Sequence, residues 1–114
     1  MSKVLIADDN DDLRKLYVLM LSEFKVFGAI NGQEAVDLYK NHRPNLVLMD
    51  ILMPEKDGIE ATKEILEFDP EATIIAITAY SSKTKEIIQA GAKDVVKKPI
   101  RKHDLIDLVE KNTK

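Results

Sequence analysis

The sequence of 114 residues contains no cysteine, which excludes a disulfide framework, a thiolate metal site and a cysteine nucleophile. It also lacks any apolar run close to the ~18 residues of a membrane span, so we expect no membrane insertion. The first apolar run begins at about Lys3, which leaves no room for a signal peptide. We therefore expect a soluble, cytoplasmic protein.

The chain is also short of positive charge. It has 17 Lys and Arg against 20 Asp and Glu, a net charge of −3, and no contiguous basic block stands out. Because nucleic-acid affinity depends mainly on neutralising phosphates, we expect no direct nucleic-acid binding. The length predicts one domain, residues 1–114, and we expect no linker, repeat or attached effector domain.

Four short apolar runs are present, and each ends on residues with reactive side chains. Residues 4–7 precede Asp8 and Asp9, residues 46–49 precede Asp50, residues 74–77 precede Thr78, and residues 95–96 precede Lys97 and Lys98. Uninterrupted runs of this length are typical of strands that are buried on both faces. In parallel sheets, ligands bind just outside the carboxyl ends of the strands. The pattern therefore predicts three carboxylates, a hydroxyl and an ammonium in one crevice.

Helical periodicity separates these runs. Asn10 and two aspartates begin a first helix whose apolar positions are Leu13, Leu16, Tyr17, Met20, Leu21 and Phe24. A second strand is predicted over residues 25–30, a fourth over 73–77 and a fifth over 93–97. Further helices are predicted from Asn31 to about 42, over 58–68, after Ser81 and Ser82 up to Gly91, and over about 103–111. Alternating strands and helices indicate an α/β fold, a parallel sheet covered on both faces.

The predicted crevice favours phosphoryl chemistry. Two carboxylates 4 Å apart repel by about 4 kcal/mol at an effective dielectric constant of about 20, so the cluster of Asp8, Asp9 and Asp50 needs cations. Lys98 supplies one, and a site made only of hard oxygen ligands favours Mg²⁺. Asp50 is the best placed nucleophile for an acyl phosphate, with Lys98 and Thr78 opposite it. No His or Glu is placed as a general base, so hydrolysis should be slow.

These motifs resemble the signature of the response-regulator receiver domain, of the chemotaxis-regulator-like, stand-alone type. The residues concerned are Asp8–Asp9, Asp50 with Met53–Pro54 and Asp57–Gly58, Thr78–Ala79, and Lys98–Pro99. The resemblance implies a doubly wound, flavodoxin-like sheet of order 2-1-3-4-5 with five helices. It implies that Asp50 takes a phosphoryl group from a phosphohistidine of a sensor kinase or histidine phosphotransfer protein.

The resemblance also implies roles for the other site residues. Asp9, Asp50 and the backbone carbonyl of Leu52 would bind Mg²⁺, with Asp8 assisting through water. Lys98, with a cis bond to Pro99, would neutralise the phosphoryl charge. Thr78 would move toward the phosphoryl group and signal to a downstream target through the helix 4–strand 5–helix 5 face.

Three further positions bear on the switch and on the lifetime of the phosphoryl group. Val95 stands where many receivers carry an aromatic switch residue, so the output face is expected to work by a backbone shift or by simple docking. Leu52 and Tyr80, two residues after Asp50 and Thr78, match positions that tune phosphoryl lifetime, and their bulk predicts a long-lived aspartyl phosphate. Strand alternation separates Lys97 from Lys98 and makes Lys97 a surface charge.

Alternative functions remain open at this stage. A Mg²⁺-dependent phosphatase with an aspartyl nucleophile usually has a second carboxylate where this chain has Leu52. A flavin carrier would need a Ser/Thr/Gly-rich loop in place of the acidic residues 8–12. A degenerate receiver would act only as a docking module. We expect a signalling module that catalyses only its own phosphorylation and slow dephosphorylation, a monomer or weak dimer, with His42 and His103 at the surface.

Overall fold

The structure, a computed structural model, describes residues 2–79 and 81–113, with Ser81 described by its backbone alone. Five strands and five α-helices alternate within this part of the chain. The elements are β1 Lys3–Ala7, α1 Asp11–Met20, β2 Lys25–Ala29, α2 Gly32–His42, β3 Leu46–Met49, α3 Gly58–Phe68, β4 Ile74–Thr78, α4 Thr84–Gln89, β5 Asp94–Lys97 and α5 Lys102–Thr113. All strand pairs are parallel, in the order β2-β1-β3-β4-β5. The predicted fold class and strand order are confirmed.

The sheet is covered on both faces. Residues that point to one face pack against α2, α3 and α4, whereas the alternate residues pack against α1 and α5. In β1, for example, Leu5 and Ala7 belong to the first cluster, and Val4 and Ile6 belong to the second. This double burial explains why the strands are uninterrupted apolar runs. It also places their first polar residues at the carboxyl edge of the sheet.

Side-chain caps start the first three helices where the sequence predicts them. Asn10, Asn31 and Asp57 each accept a hydrogen bond from the backbone N–H three residues later, at 2.8–2.9 Å. Glu34 completes the second cap by accepting from the backbone N–H of Ile30 at 3.1 Å. These caps fix the starts of the helices that follow β1, β2 and β3.

The fourth helix begins differently from the prediction. Residues 81–83 form a short 3₁₀ helix, and α4 starts only at Thr84, with Lys83 at the N-cap and no side-chain cap bond. The predicted cap by Ser81 and Ser82 is therefore wrong. The 3₁₀ turn moves the cap position to a lysine, whose ammonium cannot accept from a backbone N–H. Gly91 follows the helix with φ of 116°, as expected of a glycine after a helix end.

Other corrections concern edges and surfaces. β2 ends at Ala29, and Ile30 is 46% exposed because the chain has left the sheet. Leu16 is 45% exposed because the buried stripe of α1 runs through Tyr17 instead. His42 is partly covered, since its ring stacks on Phe27 at 4.2 Å between centroids, whereas His103 is exposed as predicted.

β4 and α5 differ from the prediction by one or two residues at their ends. β4 runs one residue later than predicted, so that Thr78 is its last residue, and α5 extends over Lys102–Thr113. No helix among the described residues is long and apolar enough to span a membrane.

Candidate functional site

Two of the predicted carboxylates lie side by side because the sheet holds the residue after each strand. The backbone N–H of Asp50 donates to the carbonyl of Ala7 at 2.9 Å, and that of Asp8 donates to Ala29 at 3.0 Å. Both aspartates are buried, with 2% of Asp8 and 9% of Asp50 exposed, whereas Asp9 is exposed. The carboxyl edge of β1 and β3 therefore presents two buried anions and one at the surface.

Lys98 brings a cation to these anions from the far end of the chain. Its Nζ lies 2.8 Å from Oδ2 of Asp8 and 3.2 Å from Oδ2 of Asp50. Its backbone N–H donates to the carbonyl of Thr78 at 2.9 Å, and its peptide bond to Pro99 is cis. Lys97 is exposed, as strand alternation predicts. The choice of Lys98 over Lys97 as the site lysine therefore agrees with the geometry.

The charges in the site perturb each other's ionisation. Burial raises the pKa of Asp50 above its ordinary value; the ammonium of Lys98 opposes this shift and the charge of Asp8 adds to it. For Lys98, burial favours the neutral amine, but the hydrogen bond that its ammonium donates to Asp8 and the negative charges of Asp50 and Asp8 outweigh this effect and raise its pKa. Lys98 therefore remains an ammonium, and the carboxyl of Asp50 still lacks full compensation.

The acidic cluster has the composition of a magnesium site. Carboxylate oxygens of Asp8, Asp9 and Asp50 all lie within 4.8 Å of one another, and this group contains neither His nor Cys. Hard oxygen ligands of this kind suit Mg²⁺, which usually keeps several waters or phosphate oxygens. The residues present fit the predicted Mg²⁺, and a bound cation would relieve the repulsion between carboxylates that Lys98 leaves uncompensated.

The cluster lies in an open pocket of about 420 Å³. Its lining consists of Asp8, Asp9, Asn10, Leu13, Asp50, Leu52, Ala79 and Lys98. Leu52 is 43% exposed at this pocket. Thr78 is not among the lining residues; it is buried at the end of β4 and lines the neighbouring pocket toward α4. Tyr80 lies outside the described residues. The structure thus brings the predicted site residues Asp8, Asp9, Asp50 and Leu52 together with Lys98 in one pocket. Thr78 lies beside them, since its carbonyl accepts from the backbone N–H of Lys98.

Glycines hold the loop after Asp50 in place. The backbone N–H of Gly58 donates to the carbonyl of Ile51 at 2.7 Å. A Cβ at Gly58 would collide with the carbonyl of Asp50, and one at Gly32 would collide with the carbonyl of Lys56. Side chains are therefore excluded at both points, and the exit loop packs closely between β3 and the start of α2.

Hydrogen-bond donors that the sequence analysis did not predict hold the two buried aspartates in place: backbone N–H groups bind their carboxylates, and the Arg14 side chain binds a backbone carbonyl. The N–H of Ile51 donates to Oδ1 of Asp50 at 2.8 Å, and the N–H of Asn10 donates to Oδ1 of Asp8 at 2.9 Å. Arg14 donates to the carbonyl of Asp8 at 2.8 Å. Arg14 lies one turn after the cap of α1, and this spacing from the strand end was the signal available in the sequence. With one oxygen of each carboxylate engaged in this way, the other is left toward Lys98.

Comparison with known proteins agrees with this geometry. A family model described as "Response regulator receiver domain" matches residues 4–110. The chemotaxis protein CheY of Halobacterium salinarum is 44% identical over 111 residues, which cover 94% of this chain and 92% of that protein. CheY of Bacillus subtilis is 42% identical, covering 96% and 95%.

A solved structure gives the same result. A chain in the crystal structure of the CheX-CheY-BeF3-Mg+2 complex from Borrelia burgdorferi superposes with a TM-score of 0.87 at 33% identity, covering 96% of this chain and 87% of that one.

Proposed function

This chain belongs to the response regulator receiver domain family, and on that premise we propose that it accepts a phosphoryl group on Asp50 from a phosphohistidine. Phosphorylation and magnesium binding are typical of this family. The observation that supports Asp50 as the acceptor is its position: it is the buried carboxylate that follows the central strand, and one of its oxygens lies 3.2 Å from the Lys98 ammonium.

The proposed transfer forms one bond and breaks another. A carboxylate oxygen of Asp50 attacks the phosphorus of the donor's phosphoimidazole, the P–N bond breaks, and the released imidazole takes up a proton from solvent. The product is an aspartyl phosphate. Lys98 faces Asp50 and neutralises negative charge on the phosphoryl oxygens. Asp8 keeps Lys98 oriented, since its Oδ2 is the closer partner of the ammonium, at 2.8 Å.

Asp9, Asp50 and the backbone carbonyl of Leu52 would hold Mg²⁺ beside the acceptor, with Asp8 assisting through water. The ion would supply Lewis-acid stabilisation of the charge on the transferring phosphoryl group. The three carboxylates alone repel each other, so the same residues are poorly suited to an anionic ligand without a cation.

The proposed role is signalling and not turnover. Leu52 occupies the position where a phosphatase of this chemistry would need a second carboxylate, and none of the pocket-lining residues within the described part of the chain is a His or Glu. Receivers of this family interact with kinases and with downstream targets. For this chain we propose a sensor kinase or histidine phosphotransfer protein as donor and the α4–β5–α5 face as output; a cytoplasmic location and a monomer or weak dimer stay predictions.

Intact-mass analysis with acetyl phosphate as phosphodonor tests the proposal. We expect one base-labile phosphoryl unit, only with Mg²⁺, on the native protein and on Asp12→Ala, an exposed aspartate near the same edge of the sheet. Asp50→Ala should remain unmodified. If the native protein stays unmodified even at high Mg²⁺, the phospho-accepting function is wrong and the chain is a docking module.

A further inference from the structure

Tyr17, on α1, is a buried tyrosine to which the proposed phosphoryl transfer gives no role. Only 2% of it is exposed, and its hydroxyl makes no hydrogen bond to any residue in the described part of the chain. Burying a hydroxyl without a partner destabilises a fold, so native proteins satisfy nearly all such groups. The surroundings of Tyr17 indicate which group could become its partner.

Strand alternation places the charges of the acidic site on the same face of the sheet as Tyr17. Each charged residue continues the hydrogen-bond ladder by one position: the backbone N–H groups of Asp8, Asp50 and Lys98 donate to the carbonyls of Ala29, Ala7 and Thr78. The residues two positions earlier all pack in the core cluster covered by α1 and α5; they are Ile6, Leu48 and Val96. Residues two apart in a strand share a face, so the three charges also face α1 and α5. Tyr17 belongs to this same cluster.

The direction of α1 brings the Tyr17 hydroxyl toward these charges. Helical side chains lean toward the N-terminus of their helix, and α1 begins at the carboxyl edge of the sheet, where the acidic site lies. Leu13, one turn before Tyr17, lines the acidic pocket. Burial raises the pKa of the Tyr17 phenol; the charge of Lys98 opposes this shift, and those of Asp8 and Asp50 add to it. The phenol therefore stays protonated and can donate a hydrogen bond.

Asp8 is the group that would need this donor if Lys98 moved. Its Oδ1 accepts from the backbone N–H of Asn10, and its Oδ2 accepts from Lys98 at 2.8 Å. If the ammonium turned to a phosphoryl group, Oδ2 would lose its partner, and a buried carboxylate without a partner is strongly destabilising. Thr62 also has an unbonded buried hydroxyl among the described residues, but α3 packs on the opposite face of the sheet. Tyr17 is therefore the buried donor on the correct face.

From these observations we propose that Tyr17 is a positioning residue for phosphoryl transfer: its hydroxyl donates to Oδ2 of Asp8 when Lys98 turns from that oxygen to the transferred phosphoryl group. The inference rests on the proposed function, because it is the phosphoryl group on Asp50 that draws Lys98 away. Before transfer, Asp8 orients Lys98 and the hydroxyl stays unbonded. During transfer, the hydroxyl compensates Asp8 and so frees the ammonium to move.

The rate of phosphorylation by acetyl phosphate in Mg²⁺, followed by intact-mass analysis, tests this role. Tyr17→Phe removes only the hydroxyl and should lower the maximum rate about tenfold, the effect of one hydrogen bond to a charged group. The half-saturating concentration of acetyl phosphate should not change, because the bond forms only during transfer. Tyr39→Phe is the matched control and should keep the native rate. Tyr39 is equally buried, on the opposite face of the sheet, and its hydroxyl already donates to Asp69 at 2.7 Å.

Urea denaturation in EDTA should give the reverse order of effects. Tyr17→Phe should leave the midpoint unchanged or raise it, because the hydroxyl it removes has no partner in the unphosphorylated protein. Tyr39→Phe should lower the midpoint, because it removes a bonded hydroxyl and leaves Asp69 without that donor. A merely structural role for Tyr17 would instead lower both midpoints.

NMR of protein labelled with ¹³C at the tyrosine ring carbon that bears the hydroxyl observes the bond directly. The Tyr17 signal, identified by its loss in Tyr17→Phe, should shift when acetyl phosphate and Mg²⁺ are added to the native protein. In Asp50→Ala the same additions should leave the signal in place, because no phosphoryl group is attached.

The outcomes separate this inference from the proposed function. If the native protein is phosphorylated but Tyr17→Phe reacts at the native rate, or the Tyr17 signal does not move, the positioning role alone is wrong. A midpoint that falls as much in Tyr17→Phe as in Tyr39→Phe would also overturn it, since the hydroxyl would then be bonded before transfer. If the native protein is not phosphorylated at all, the proposed function is wrong and this inference falls with it.

Discussion

Replacing the carboxylate of Asp50, the proposed phosphoryl acceptor, should make the metal-free protein more stable. Asp50 and Asp8 carry like charges within 4.8 Å, a repulsion of about 3 kcal/mol at an effective dielectric constant of about 20. The attraction between Lys98 and Asp50 at 3.2 Å is worth about 5 kcal/mol on the same scale, but desolvating a buried carboxylate costs several more. In Asp50→Asn, Lys98 keeps Asp8 as its partner and the amide oxygen can still accept from Ile51. We expect a gain of about 2 kcal/mol.

The pKa shift of Asp50 also predicts that its ionised carboxylate destabilises the metal-free fold. Because the pKa of Asp50 is raised above its ordinary value of 3.8, the folded state binds this proton more tightly than the unfolded state. The free energy of unfolding therefore falls as pH rises from 3.8 through the raised pKa, and the penalty is complete above it. The advantage of Asp50→Asn should shrink as the pH is lowered through this window.

Urea denaturation with EDTA or with Mg²⁺ measures the effect. In EDTA at neutral pH, Asp50→Asn should exceed the native protein, while Asp12→Asn, at an exposed site, should change stability by less than about 0.5 kcal/mol. With Mg²⁺ at 100 times its dissociation constant, the native protein gains about 2.7 kcal/mol and the difference closes or inverts. A metal-free Asp50→Asn that is less stable than the native protein by more than about 1 kcal/mol would refute this reasoning.

Three further predictions follow from the site. Lys98→Met should cost about 3–5 kcal/mol in urea denaturation and abolish phosphorylation, because it leaves buried carboxylates without their cation; an unchanged midpoint would contradict this. Gly58→Ala should lower stability and slow phosphorylation, because its Cβ would collide with the carbonyl of Asp50. Gly28→Ala should be tolerated, since its Cβ would meet only the flexible Arg14 side chain at 3.3 Å. Equal effects of the two substitutions would contradict a specific role for Gly58 in positioning the loop after Asp50. Tyr80→Ala and Leu52→Ala should each shorten the phosphoryl half-life about tenfold, or about 1.4 kcal/mol of barrier, by admitting water; an unaltered half-life would show that their bulk does not protect the phosphate.

Features that depend on neighbours in sequence were predictable from the sequence. Strand ends at Asp8 and Asp50 follow from apolar runs that stop, and the caps by Asn31 and Asp57 follow from a short polar residue followed by Glu three positions later. The choice of Lys98 over Lys97 follows from strand alternation. Each of these signals spans only a few residues, so local backbone geometry translates it directly into structure.

Predictions failed where a local sequence pattern fits more than one backbone arrangement. Ser81 and Ser82 fit a helix cap, but the chain continues in a 3₁₀ turn, so α4 begins only at Thr84. Ile30 extends the apolar segment of β2, but the strand ends before it at Ala29. Propensity alone does not choose between these outcomes, because tertiary packing outweighs such small differences.

By itself, the sequence determined which side chains stand at the ends of strands, and so the chemistry that this edge can perform. Only the tertiary structure decided how those side chains meet: Lys98 reaches Asp8 across 90 positions and Asp50 across 48, and Thr78 faces a different pocket from its neighbour Ala79. Side-chain identity and alternation are local properties of the chain. Distances between strand ends depend on strand order, sheet register and the close approach of backbone at Gly58, which arise only when all five strands pack together.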